Sequence, residues 1–168
     1  MSKIKGLKKL NKAVSAELEP FGIKKAFCGT EYSFSWVNES ISFKITEGTV
    51  EDIWFLEFVK HRFGIKPQSF IISILHEVGH YRANDEIEGA IFDFCMTEKS
   101  RISAEMQIAD EIRSKELEFE YFNLPDEIMA TQWAVNYIKN NPEHIKIMWH
   151  NIQKALRKFY KKNEVTED

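Results

Sequence analysis

The stretch Phe70-Ile71-Ile72-Ser73-Ile74-Leu75-His76-Glu77-Val78-Gly79-His80-Tyr81 decides how the rest of the chain is read. Its apolar residues cover most of the circumference of a helix, the mark of a segment buried inside a domain. At about 100° per residue, Ser69, Ser73, His76 and His80 fall together on one narrow polar stripe. Two imidazoles four residues apart project from that stripe and need partners, because a buried polar group without a hydrogen bond is costly. A divalent metal answers the need. Imidazole nitrogen is a common ligand of Zn²⁺, and Glu77, beside the pair, is placed to take a proton from a water on the metal. The stretch therefore predicts a helix, a Zn²⁺ cofactor, two ligands (His76 and His80) and a general base (Glu77).

Outward from this helix, other elements follow from periodicity. Pro67 is expected to open the motif helix, at a position where its missing N–H does no harm. Before it, Thr49 reads as the cap of a helix to about His61, with Glu51 and Asp52 in its first turn and Gly64 at its end. Further upstream, Tyr32, Phe34 and Trp36 alternate with serines, as do Ile41, Phe43 and Ile45 with polar residues. This predicts a β-hairpin with one aromatic, buried face. Residues 23–27 offer a third strand. Ile4, Leu7, Leu10, Val14 and Leu18 mark an amphipathic first helix ended by Pro20.

Downstream, residues 83–100 carry no clear period, and residues 102–117 read as a polar, exposed helix. Pro125 starts another helix, and Asn141-Pro142-Glu143 caps the last, running to about Lys161. The fold class expected is α+β: mostly helical, with a short sheet of about three strands, antiparallel or mixed, beside the motif helix. A single domain is expected over residues 1–161, with a disordered tail at 162–168.

Composition narrows the function. The chain has 168 residues, 43% of them hydrophobic, which suits a folded domain and argues against disorder. A net charge of −3 gives no push towards nucleic acid or anionic membranes, so direct nucleic-acid binding is not expected. The N-terminal lysines and the acidic run of residues 105–120 read as solvated helix faces. Cys28 and Cys95 stand far apart, as buried thiols of a reducing compartment do. No apolar leader and no apolar run of about 18 residues is present, so a cytoplasmic protein off the membrane is expected.

A catalytic zinc needs a third protein ligand and keeps a fourth position for water. Three readings compete. In one arrangement the third ligand follows the second histidine by six residues, which here is Glu86, although Ala83 stands where a turn-forming glycine would be wanted. His144 and His150 are further candidates. The third is Glu127, in Leu124-Pro125-Asp126-Glu127-Ile128-Met129-Ala130-Thr131-Gln132-Trp133-Ala134. There Glu127, Ala130, Thr131 and Ala134 share a helix face. The alanines permit close approach to Gly79 of the motif helix, and Thr131 could steady a ligand by hydrogen bonding.

With both segments in view, the chain resembles the ImmA/IrrE-type zinc metallopeptidases of bacteria and their mobile elements. The resemblance rests on residues 74–81 and 127–134, which match HExxH followed some dozens of residues later by a helix of the form ExxAxxFA. Trp133 takes the aromatic position, and Thr131 stands where the family often has asparagine. The resemblance implies a small zincin-like fold with His76, His80 and Glu127 as metal ligands and Glu77 as general base. It also implies a protein or peptide substrate, such as a helix-turn-helix repressor.

On this reading the enzyme hydrolyses peptide bonds, and the developing oxyanion needs a second electrophile, for which Tyr81, Tyr121, His144 and His150 are available. The strand at residues 41–46 offers an edge to hold an extended substrate by β-augmentation. The rival is a non-catalytic module of the same fold that holds metal or a protein partner without cleaving it; an intact Glu77 speaks against it. A SprT-like, DNA-associated protease would want a third histidine ligand and a basic region, which the acidic charge disfavours.

Overall fold

The computed structural model describes residues 6–45, 50–83 and 87–163, without the side chains of residues 50 and 51. The elements are α1 (Leu7–Leu18), a 3₁₀ turn (Glu19–Phe21), β1 (Lys25–Cys28), β2 (Ser33–Ser35), β3 (Ser40–Phe43), α2 (Val50–Phe63), α3 (Ser69–Ala83), α4 (Gly89–Met106), α5 (Glu111–Phe122), α6 (Pro125–Asn140) and α7 (Pro142–Asn163). The class is α+β, mostly helical with one small mixed sheet. No helix among the described residues is long and apolar enough to cross a membrane. The chain divides into two compact units, Met1–Ile45 with Asn140–Asp168, and Thr46–Lys139.

In the first unit, α1 buries Leu10, Val14 and Leu18, as the four-residue spacing predicts, and packs against β1 and α7. The sheet runs β1-β3-β2, with β3 parallel to β1 and antiparallel to β2. The expected hairpin and third strand are both present. Two details differ. β3 is the central strand, buried along its whole length, so it has no free edge on which a substrate strand could add. The outer edge of β1 is also occupied: the Cys28 N–H donates to Asn11 Oδ1 (3.1 Å) and the Ala26 N–H to Ser15 Oγ (2.8 Å), both from α1. Nor is the aromatic face of β2 buried. Phe34 is half-buried and Trp36, 45% exposed, meets it edge-on at 4.8 Å. A three-residue strand is too short to carry its flanking aromatics into the interior.

In the second unit, α2 ends at Phe63, followed by Gly64 at φ 68°, a left-handed stop that a side chain would disfavour. Thr49 and Glu86 lie outside the described residues, as do residues 164–168, whereas α7 continues to Asn163, past the expected Lys161. The motif helix begins at Ser69, two residues after Pro67. Its opening is satisfied by Gln68, whose Oε1 accepts from the Ile71 N–H at 2.8 Å.

The expected polar helix over residues 102–117 is instead parts of two helices. Asp110 caps the second, accepting from the Arg113 N–H at 2.8 Å, so the chain restarts there. Ile102 and Leu117 are not exposed: they form a buried cluster with Cys95 and Leu124. The polar residues lie on the other side, where Arg101 pairs with Glu98, Glu105 and Glu120, and Arg113 with Glu105, Glu116 and Glu120.

Candidate metal centre

α3 is buried from Phe70 to Gly79, its polar residues included. It meets α6 at Gly79, where a Cβ would lie 2.3 Å from the carbonyl oxygen of Ala130 and 2.8 Å from its Cα. Only a residue without a side chain lets the two backbones come this close. The approach sets Glu127, about one turn before Ala130 on α6, and Thr131, the residue after it, against the histidines of α3. Glu127 sits in the first helical turn, where the dipole favours an acid, after a two-residue link from α5.

The geometry is compact. His76 Nε2 lies 2.9 Å from Glu127 Oε2, His80 Nε2 lies 3.4 Å from Glu127 Oε1, and the two Nε2 atoms are 3.1 Å apart. Ligands held about 2.0–2.1 Å from a tetrahedral zinc stand about 3.3 Å from one another, close to the separation of the two imidazole nitrogens and of each from its nearer Glu127 oxygen. Two imidazoles and a carboxylate are also the donor types zinc takes. Among the described residues, these three form the grouping of potential ligands close enough for one ion.

The surroundings orient the donors. Thr131 Oγ1, fully buried, lies 3.0 Å from His76 Nδ1. The tautomer that donates Nδ1–H to this hydroxyl leaves the Nε2 lone pair facing Glu127 and His80. Phe55 meets the His76 ring edge-on at 5.2 Å, closing that side with hydrocarbon. Lys99, from α4, hydrogen-bonds both Asp126 Oδ2 and Glu127 Oε1, and its ammonium lies 5.2 Å from the Tyr121 ring centroid.

Electrostatics separate the two glutamates. Burial pushes the Glu77 carboxyl up, against the pull of His76 and His80, as suits a group that must both accept and return a proton. Burial would also raise Glu127, but the charges and hydrogen bonds of His80 and His76 overcome it and hold its carboxyl well below the ordinary range. Burial likewise works against charge on His80; Glu127 and Glu77 outweigh it and raise the imidazole. One glutamate is kept ionised while its neighbour is made basic.

Of the residues weighed as a second electrophile, Tyr121 stands beside this cluster. Burial and then the charge of Glu127 push its phenol up, keeping it a protonated donor. Tyr81 is half-buried on α3, with the Arg82 guanidinium 5.8 Å from its ring. His144 and His150 lie on α7 in the first unit, where the His144 ring faces Phe21 at 6.0 Å. Sequence reasoning missed Lys99. Its signal was present: Cys95, Lys99 and Ile102 are spaced i, i+4, i+7, which puts a lysine on the buried stripe of α4 once that segment is read as a helix. The chain matches no family model, no curated protein and no solved structure.

Proposed function

We propose that this protein is a zinc-dependent metallopeptidase. The observation that carries the reading is the meeting of His76, His80 and Glu127, from two helices distant in sequence, at separations close to those of zinc ligands and with Glu77 beside them. In this role His76 Nε2, His80 Nε2 and the Glu127 carboxylate would hold the metal. Zn²⁺ bound there would supply Lewis acidity, polarising a peptide carbonyl and making a water acidic near neutral pH. Glu77 takes the proton of the attacking water on its carboxylate and passes it to the leaving amine. Thr131 fixes the His76 ring, and the neutral Tyr121 hydroxyl is available to donate to the developing oxyanion. The substrate class is protein or peptide. A helix-turn-helix repressor, and membership of the ImmA/IrrE type, are proposed on the resemblance of residues 74–81 and 127–134 alone.

One observation favours a second reading, a non-catalytic module. Lys99 gives Asp126 and Glu127 a cationic partner from within the chain, so each carboxylate has a positive neighbour without any metal. Zinc titration of the metal-stripped protein separates the metallopeptidase from a module that holds no metal. The metallopeptidase reading expects one equivalent bound by the wild type and by Glu86→Ala, and none by Glu127→Ala. No zinc bound by the wild type would sink it.

A further inference from the structure

We propose that Lys99 is a positioning residue for Glu127. Its ammonium engages Oε1, the oxygen that also approaches His80, and leaves Oε2 to His76, so that the carboxylate meets a metal through Oε2 only. The inference rests on the metal reading above and adds to it the origin of the open coordination position.

The argument begins with where the ammonium sits. Lys99 projects from the buried stripe of α4, between Cys95 and Ile102, and its side chain is only 18% exposed. A lysine in that position would ordinarily extend its charge to solvent. This one instead bridges two carboxylates of adjacent residues, Asp126 through Oδ2 and Glu127 through Oε1. Asp126 is 6% exposed and also accepts from the ammonium, a second buried partner that fixes the donor before any ligand arrives. The other Glu127 oxygen, Oε2, is the one 2.9 Å from His76 Nε2; Oε1, engaged by Lys99, is the oxygen 3.4 Å from His80 Nε2.

Oε2 thus faces His76, while Oε1 carries the ammonium as well as its contact with His80. A carboxylate that meets zinc through both oxygens takes two positions and crowds out water, whereas one that meets it through a single oxygen completes three protein ligands and keeps the fourth position. A charge-assisted hydrogen bond on Oε1 is a strong one in a buried setting and competes with a metal for that oxygen.

The test uses Co²⁺ as the probe, because four-coordinate cobalt absorbs strongly in the visible and higher-coordinate cobalt weakly. The full-length wild type loaded with Co²⁺ is expected to give intense bands, Lys99→Met severalfold weaker ones, and Lys99→Arg bands close to the wild type. Equal intensities in wild type and Lys99→Met, with both binding cobalt, would overturn the role of Lys99 while leaving the metal site standing. A wild type that takes up no Co²⁺ would sink the metal reading and this inference with it. Should Lys99→Met lose its helical circular dichroism, zinc X-ray absorption on the wild type alone decides. A short zinc-to-carboxylate-carbon distance, the signature of binding through both oxygens, contradicts the proposal.

Discussion

Gly79 carries more of the site than its size suggests. In an isolated helix, replacing glycine with alanine gains up to about 1 kcal/mol. Here the added Cβ would lie 2.3 Å from a backbone oxygen, and what it meets is the backbone of Ala130, not the end of a flexible side chain. Overpacking of that kind costs about 1–3 kcal/mol, so the contact decides the sign. Gly79→Ala is expected to lower the denaturation midpoint and to weaken zinc binding, by parting α3 from α6. A variant as stable as the wild type, with unchanged zinc affinity, would show that the two helices do not depend on this approach. At this scale the sequence was most informative. His76, Glu77 and His80 stand out by spacing, and Glu127 and Thr131 by sharing a helix face with alanines. Lys99 stayed hidden because its place on the buried stripe shows only once residues 89–106 are read as a helix, and its partners only once that helix is placed.

Among the elements, α4 and α5 are the pair that periodicity read least well. The reason lies in the residues. Ile91, Phe92, Phe94 and Met96 are exposed on α4, so apolar positions do not mark its buried stripe, while Lys99 lies on it. What joins the two helices in part is the outer network of Arg101 and Arg113 with the glutamates. These groups are open to water, and each pair is weak alone. Arg113 and Arg101 hold Glu105, and Arg101 and Arg113 hold Glu120, below the ordinary carboxylate value of 4.5. A lowered folded-state value means the stabilisation is present in full above about pH 4.5 and is lost as pH falls through the lowered values. The wild type is therefore expected to exceed Arg113→Met in melting temperature at neutral pH, by a margin that shrinks towards pH 3 and in high salt. A margin that grows on acidification would reverse the assignment.

At the scale of the molecule, the α+β class and the order of the elements other than α4 and α5 were legible, because burial imposes its periods on most of the chain. Strand neighbours were not. That β3 lies between β1 and β2 follows from a parallel pairing that no local pattern announces. The function is a property of the assembled chain as well, since the proposed donors come from α3 and α6, the proton acceptor from α3, and the ammonium that engages the carboxylate from α4. The most direct measurement of the central claim is cleavage of a diverse peptide library, read by mass spectrometry, with zinc-loaded wild type beside zinc-loaded Glu77→Gln. The account predicts cut peptides from the wild type and none from the variant at equal zinc content. Equal cleavage by both would contradict the role of Glu77, and full zinc occupancy with no cleavage by either would contradict the peptidase itself.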